Sequence, residues 1–188
     1  MPQVTIRDAG PGRDAAACAA IYAPYVESTP ISFEERPPAV AEMAARIERV
    51  SATHPWLVAE AGGEVAGYAY GCRLHERAAY RWTAEVSVYV AEARRGEGIG
   101  RALYEALFER LRRQRFQVAF AGITLPNEAS VSLHERLGFA GAGTSRRIGW
   151  KQGRWHDVSW WQLDLSPPGG DPPPEPLPPD LPPSTGYH

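Results

Sequence analysis

Residues 94–101 read Arg-Arg-Gly-Glu-Gly-Ile-Gly-Arg, so Gly96, Gly98 and Gly100 alternate with Arg95, Glu97 and Ile99. Without Cβ atoms, such a stretch lets a ligand approach the backbone closely. A helix that starts here leaves its first N–H groups unpaired and turns its positive dipole end toward the loop. Arg94, Arg95 and Arg101 add charge. The combination makes an anion site suited to phosphate or pyrophosphate, although a glycine-rich helix start without a ligand has the same composition. The absence of Gly-Lys-Ser/Thr excludes the triphosphate P-loop. The first strand has no dinucleotide fingerprint, which disfavours a nicotinamide-binding fold.

A second chemical group precedes the loop. In "WTAEVSVYV", Glu85 is the one acid in a strand pattern. Alternation places Glu85, Ser87 and Tyr89 on one face and Val86, Val88 and Val90 on the other. Glu85 is either a solvent-facing strand acid or a part-buried carboxylate. A part-buried carboxylate has a raised pKa that suits a general base near neutral pH.

The elements that must position these groups form one alternating α/β domain over residues 1–165. "QVTIR" reads as a strand, and Asp14 to Val26 as a helix with an apolar face at Ile21, Tyr22 and Tyr25. After the loop "STPISFEERPP", Pro37 and Pro38 are expected to open a helix through Val50. Two β-rich runs about Gly62-Gly63 form a hairpin signal, and a third strand covers roughly Arg81 to Val90. Ile99, Leu103, Leu107 and Leu111 recur every four residues, an amphipathic helix to about Arg113. "QVAFAGI" is expected to be a strand buried on both faces. Asn127 caps a short helix that Gly138 ends. Closing strands cover about Thr144 to Trp150 and Trp155 to Leu165, and Trp150, Trp155, Trp160 and Trp161, with His156 and Asp157, read as packing there. Residues 166–188 hold ten of the 18 prolines and few apolar side chains, so a disordered tail is expected.

Composition narrows the function. The chain of 188 residues carries a net charge of -2, giving no footprint for nucleic acid or an anionic membrane. No apolar run is long enough to span a bilayer and no signal peptide is seen, so a cytoplasmic protein is expected. Cys18 and Cys72 are the only cysteines and are expected to be buried free thiols, with no metal site.

Arg95-Gly96-Glu97-Gly98-Ile99-Gly100 resembles the Arg/Gln-x-x-Gly-x-Gly pattern of the GNAT superfamily of acetyl-CoA-dependent N-acetyltransferases, and the element order is similar too. "AAYRWTAEVSVYV", "GITLPNEASVSLHERLGF" and "GRWHDVSWWQLDL" resemble the group that acetylates phosphinothricin, methionine sulfoximine and methionine sulfone. The likeness covers about residues 3–165 and implies a GNAT fold, a mixed central sheet flanked by helices.

The resemblance implies roles residue by residue. Gly96 to Arg101, with Arg95, would bind the coenzyme A pyrophosphate. The backbone of Val88, Tyr89 and Val90 would hold the pantetheine arm and polarise the thioester carbonyl. Glu85 would be the general base, and Asn127 would add a cofactor or substrate contact to its cap. His134 would protonate the leaving thiolate or orient the substrate; read without the resemblance, it is equally a packing histidine. Phe33, Glu34, Arg77 and Tyr80, with Arg73 and His75 as neighbours, would recognise an amino-acid substrate through a cation and a hydroxyl donor. A homodimer is implied, with the closing strands contributing. Two other readings stay open. One is acetylation of another amine (a polyamine, an aminoglycoside or a protein N-terminus). The other is an acyl-CoA sensor without catalysis.

Overall fold

Gly62 and Gly63 adopt φ of +68° and +85°, the left-handed values a tight hairpin turn demands. They join β2 (Trp56–Ala61) to β3 (Glu64–Arg73) in the computed structural model, which describes residues 4–167, 169 and 173–179. The other elements are β1 (Val4–Asp8), α1 (Pro11–Glu27), α2 (Val40–Ser51), β4 (Thr83–Val90), α3 (Ile99–Arg113), β5 (Val118–Thr124), α4 (Glu128–Arg136), β6 (Ala140–Lys151) and β7 (Arg154–Asp164). One seven-stranded sheet runs β1-β2-β3-β4-β5-β7-β6. Its β4–β5 pairing is parallel and the rest antiparallel, so the expected mixed sheet flanked by helices is present.

Several boundaries differ from expectation for local reasons. α1 starts at Pro11 rather than Asp14, because proline is pre-set for a first turn. Pro37 and Pro38 lie ahead of α2, which begins at Val40; Pro38 disfavours the helical region for the residue before it. β6 begins at Ala140, where an Ala-Gly segment that reads as loop is recruited by pairing with Gln162 and Trp161. β5 is not buried on both faces. Ala119, Ala121 and Ile123 are in the core, whereas the Phe120 face is covered by Trp160, whose ring lies over Gly122. Cys18 is buried as expected, but Cys72 is half-buried; both are free thiols.

Each sheet face carries its own core. Ile99, Leu103, Leu107 and Leu111 of α3 are essentially inaccessible and rest on Ala59, Ala69, Ala84 and Val86. Full burial of each such side chain contributes about 1.5–3 kcal/mol. Small strand residues permit the close approach: a Cβ at Gly67 would stand 3.2 Å from both Ile99 and Leu103. The opposite face packs Tyr22, Tyr25 and Val26 of α1 and Met43 and Ile47 of α2 against Trp56, Val58 and Tyr68.

The start of α1 is tied to β1 by a buried carboxylate. Asp14 is 1% exposed and accepts two hydrogen bonds from Arg7 at 2.8 Å and one from the Gly10 N–H at 2.7 Å. Burial alone would raise the Asp14 pKa, but these donors outweigh it and hold the carboxyl below its ordinary 3.8. A depressed carboxyl contributes stability that is complete above its unfolded pKa and is lost as pH falls through the folded one. Asp14→Ala is expected to cost about 1–3 kcal/mol, because it leaves the Gly10 N–H and part of the Arg7 fork unpaired while Arg7 keeps Glu60. Urea unfolding at neutral pH measures this; a loss under about 1 kcal/mol would show that Arg7 finds other partners.

Within the proline-rich segment, residues 173–179 run along the molecule without regular structure. The Trp82 indole donates to Pro174 O (3.1 Å), Arg81 pairs with Glu175 (2.8 Å), and the Leu177 N–H donates to Gln114 O (2.9 Å). The expectation of disorder for residues 168, 170–172 and 180–188 lies outside the described residues.

Candidate active site

The site begins where two strands part. β4 pairs with β3 from Ala84 to Val90, but with β5 only over Thr83–Glu85. The Ala91 N–H bonds Ala66 O on the β3 side, and Trp82 O accepts the Gln117 N–H on the β5 side. Backbone groups of alternate residues face opposite neighbours in a ladder. The N–H and C=O of Val88 and Val90 therefore face the opening between β4 and β5, whereas those of Tyr89 face β3. The Tyr25 hydroxyl donates to Val90 O (2.7 Å) and accepts the Val90 N–H (3.3 Å), which leaves Val88 as the freely presented backbone pair. The Tyr89 ring packs among Tyr22, Tyr25 and Tyr68.

The glycine loop lies just beyond β4. Gly96 and Gly98 adopt φ of +82° and +81°, and a Cβ on either would point into open space. Gly98 is the N-cap of α3, and no side chain caps this end. The first N–H groups of α3 are thus exposed to any ligand over the loop. Gly100 is already helical and sits 3.5 Å from Leu133 of α4, measured from its would-be Cβ. The charges divide unevenly. Arg94 is held by Glu97 (2.8 Å) and Arg101 by Glu105 (2.8 Å). Arg95 lies 5.0 Å over the Tyr25 ring, with Glu92 at 3.8 Å. Glu97 therefore presents a neutralised carboxylate and offers the loop its main chain.

Glu85 stands at the last β4–β5 pair, with Cys72 its partner on β3 and Phe120 on β5. It is half-buried, and burial raises its pKa above the ordinary 4.5 with no opposing charge or hydrogen bond among the described residues. Such a carboxylate can take a proton near neutral pH.

A cavity of about 390 Å³ opens on the same face, lined by Tyr22, Arg46, Arg49, Tyr70 and Cys72 among others. That size suits a small ligand. Arg46 is committed to Glu34 (2.7 Å) and Glu42 (2.5 Å). These α2 arginines were missed from sequence, and no motif there marks them. Of the expected substrate residues, Glu34 meets the cavity wall through Arg46 and Tyr22. Phe33 lies instead on Gly149, half exposed. Arg77 and Tyr80 sit on the β3–β4 connection, where Tyr80 stacks on His75 at 5.0 Å and Arg73 pairs with Glu76.

A model of the acetyltransferase (GNAT) domain matches residues 9–160. The chain belongs to the GNAT acetyltransferase family. It is 42% identical to the phosphinothricin N-acetyltransferase of Streptomyces viridochromogenes over 166 residues, 88% of this chain and 89% of that one. It is 41% identical to the L-methionine sulfoximine/L-methionine sulfone acetyltransferase of Pseudomonas aeruginosa over 87% of this chain and 95% of that one. Among solved structures, a phosphinothricin acetyltransferase of the GNAT superfamily from Sinorhizobium meliloti, in complex with acetyl-CoA, superposes with a TM-score of 0.87. It is 36% identical, covering 92% of this chain and 94% of that one.

This GNAT chain is an acetyl-CoA-dependent acetyltransferase, and its residues fit that molecule. The open space at Gly96 and Gly98 and the uncapped α3 suit a pyrophosphate, and the unpaired Val88 edge suits an extended amide arm. Asn127 caps α4 by accepting the Ser130 N–H (3.2 Å), which leaves its amide NH2 and one lone pair of Oδ1 for a ligand. His134 is 2% exposed. Its Nδ1 lies 2.8 Å from Ser130 O and must carry the proton, since a carbonyl only accepts. Nε2 then accepts from the Tyr104 hydroxyl (3.3 Å). Burial lowers the His134 pKa, partly opposed by that carbonyl, so the ring is neutral at neutral pH.

Proposed function

We propose that this GNAT acetyltransferase moves the acetyl group of acetyl-CoA to the α-amino group of a small amino acid of the kind its relatives are named for: phosphinothricin, methionine sulfoximine or methionine sulfone. The observation that carries the reading is Glu85, an unpaired half-buried carboxylate where β4 and β5 part, beside a cavity of amino-acid size.

Acetyl-CoA supplies the acetyl group as a thioester when bound. Gly96 to Arg101, with Arg95, would hold the pyrophosphate through main-chain N–H groups and charge. The Val88 N–H, on the free edge, would donate to the thioester carbonyl, a contact that strengthens as negative charge develops there. Glu85 accepts a proton from the substrate ammonium, which frees the nitrogen lone pair for attack; as the C–N bond forms the thioester C–S bond breaks, and the second proton shed by the nitrogen reaches the departing coenzyme A thiolate through solvent. His134, neutral and bonded to Tyr104, positions α4 and Tyr104 rather than giving up a proton itself. Asn127 contributes its free amide nitrogen. Arg49 lines the cavity, has no salt-bridge partner among the described residues and is placed to face the substrate carboxylate; Phe33, Arg77 and Tyr80 are not among the cavity's lining residues and are given no contact with the substrate.

A thiol-release assay with acetyl-CoA and a panel of amines tests this. Turnover is expected with methionine sulfone and phosphinothricin and is expected to fall by about tenfold or more with their carboxamides, which lose the charge-assisted bonds. Turnover confined to polyamines or aminoglycosides, or none with any amine despite coenzyme A binding, would overturn it.

The exposed group Ile148, Trp150 and Trp155 on the closing hairpin supports a homodimer through that face. A one-chain mass in sedimentation at micromolar concentration counts against it. The proposed place of work is the cytoplasm, where acetyl-CoA is available and thiols stay reduced. Among the described residues no helix is long and apolar enough to cross a membrane.

A further inference from the structure

Lys151 is the only lysine in the sequence; the other 19 of its 20 Lys and Arg residues are arginine. It closes β6, on the far side of the sheet order from β3, yet its ammonium reaches back across the fold. Nζ donates to three backbone carbonyls: Val26 O at 2.6 Å, Ser32 O at 2.5 Å and Glu34 O at 2.9 Å. An ammonium has three donors, and all three are used. The planar fork of arginine cannot converge on three separate carbonyls in this way.

What those carbonyls belong to gives the contact its meaning. Val26 lies in the last turn of α1, and Ser32 and Glu34 lie in the irregular segment between α1 and α2. The same segment is pressed onto β6 by Phe33, whose ring fills the space where a Gly149 Cβ would stand at 2.2 Å. From it, the Ser32 hydroxyl bonds the Tyr22 hydroxyl (2.7 Å), and the Glu34 carboxylate accepts from Tyr22 (2.9 Å) and Arg46 (2.7 and 2.9 Å). Tyr22 and Arg46 line the 390 Å³ cavity.

We infer that Lys151 is a positioning residue for the amine pocket: it locks segment 28–36, and through Glu34 it fixes the Tyr22–Arg46 wall of the cavity. This rests on the acetyltransferase reading above for its kinetic effect but not for its structural effect. The hairpin that ends the domain thereby sets the shape of a pocket built from its first two helices.

The test compares the wild-type full chain with Lys151→Met and Lys151→Arg by hydrogen exchange and by steady-state kinetics with methionine sulfone. In Lys151→Met, amides of residues 28–36 are expected to exchange about tenfold or more faster, with β2 and β3 unchanged. The amine KM is expected to rise about tenfold, while the acetyl-CoA KM stays within about twofold. Lys151→Arg should fall between the two, since it keeps the charge and only part of the donor set. Unchanged exchange at 28–36, exchange rising across the whole sheet, or equal rises in both KM values would overturn the inference. If wild type acetylates no amino acid, the proposed function fails and the exchange comparison alone decides the role of Lys151.

Discussion

Glu85→Gln is expected to lower kcat by about 10²- to 10⁴-fold, the usual contribution of a positioned base, while acetyl-CoA binding stays nearly unchanged. The amide keeps the shape of the side chain but cannot accept the ammonium proton. In wild type, kcat should fall as pH drops through the raised pKa of Glu85, so the acid limb lies above the ordinary 4.5. The variant should lose that limb. Its stability should move the other way. An acid whose folded pKa is raised binds its proton more readily when folded, so it opposes folding once pH exceeds both pKa values. Glu85→Gln removes that cost, and a slightly higher Tm is expected at neutral pH. An unchanged kcat–pH profile would remove Glu85 as the base. In the same single-turnover assay, His134→Gln should transfer acetyl at close to the wild-type rate; a loss of about 100-fold would restore His134 as a proton donor.

Gly98→Val should damage cofactor use selectively. At φ +81° a β-branched side chain is strained by roughly 1–2 kcal/mol, so the loop must shift to relieve it. No protein atom lies within 4 Å of the new Cβ, so little packing is disturbed. The space it invades is the space over the N–H groups of α3, where the ligand needs close approach. The acetyl-CoA KM is expected to rise by about tenfold or more, since 1.4 kcal/mol is a factor of ten. The amine KM should change little, and the Tm should fall by no more than about 2–8 °C, as that strain allows. A rise in the amine KM with acetyl-CoA KM intact would show that the loop does not hold the cofactor.

What the sequence made legible follows from the range of the interactions concerned. Period-four leucines announced α3, the Gly62-Gly63 pair announced the hairpin, and alternation placed Glu85 opposite Val86 and Val88, because each signal is local. The parting of β4 from β5 is not local. It depends on where pairing stops after Glu85, and no residue at 86–88 marks that point. The backbone roles of Val88 and Tyr89 could not be separated until the ladder parity was seen. No local pattern singles out Arg46 and Arg49, because only the packing of α2 across β3 gives them a cavity to line. Lys151 had no local signal either; its three carbonyls are 117 to 125 residues away in sequence.

That single ammonium has one more consequence, for self-modification. A protein built to set an acetyl thioester beside an amine exposes its own nucleophiles to the donor. Arginine is spared because its guanidinium stays protonated, and the chain carries its positive charge as arginine everywhere but once. At the exception, the nitrogen has all three protons engaged with main-chain oxygens, and its lone pair is unavailable while they hold. The side-chain amine most open to acetylation in an ordinary protein is here a structural pin. Long exposure to acetyl-CoA should therefore leave the Lys151 amine of the folded chain unacetylated.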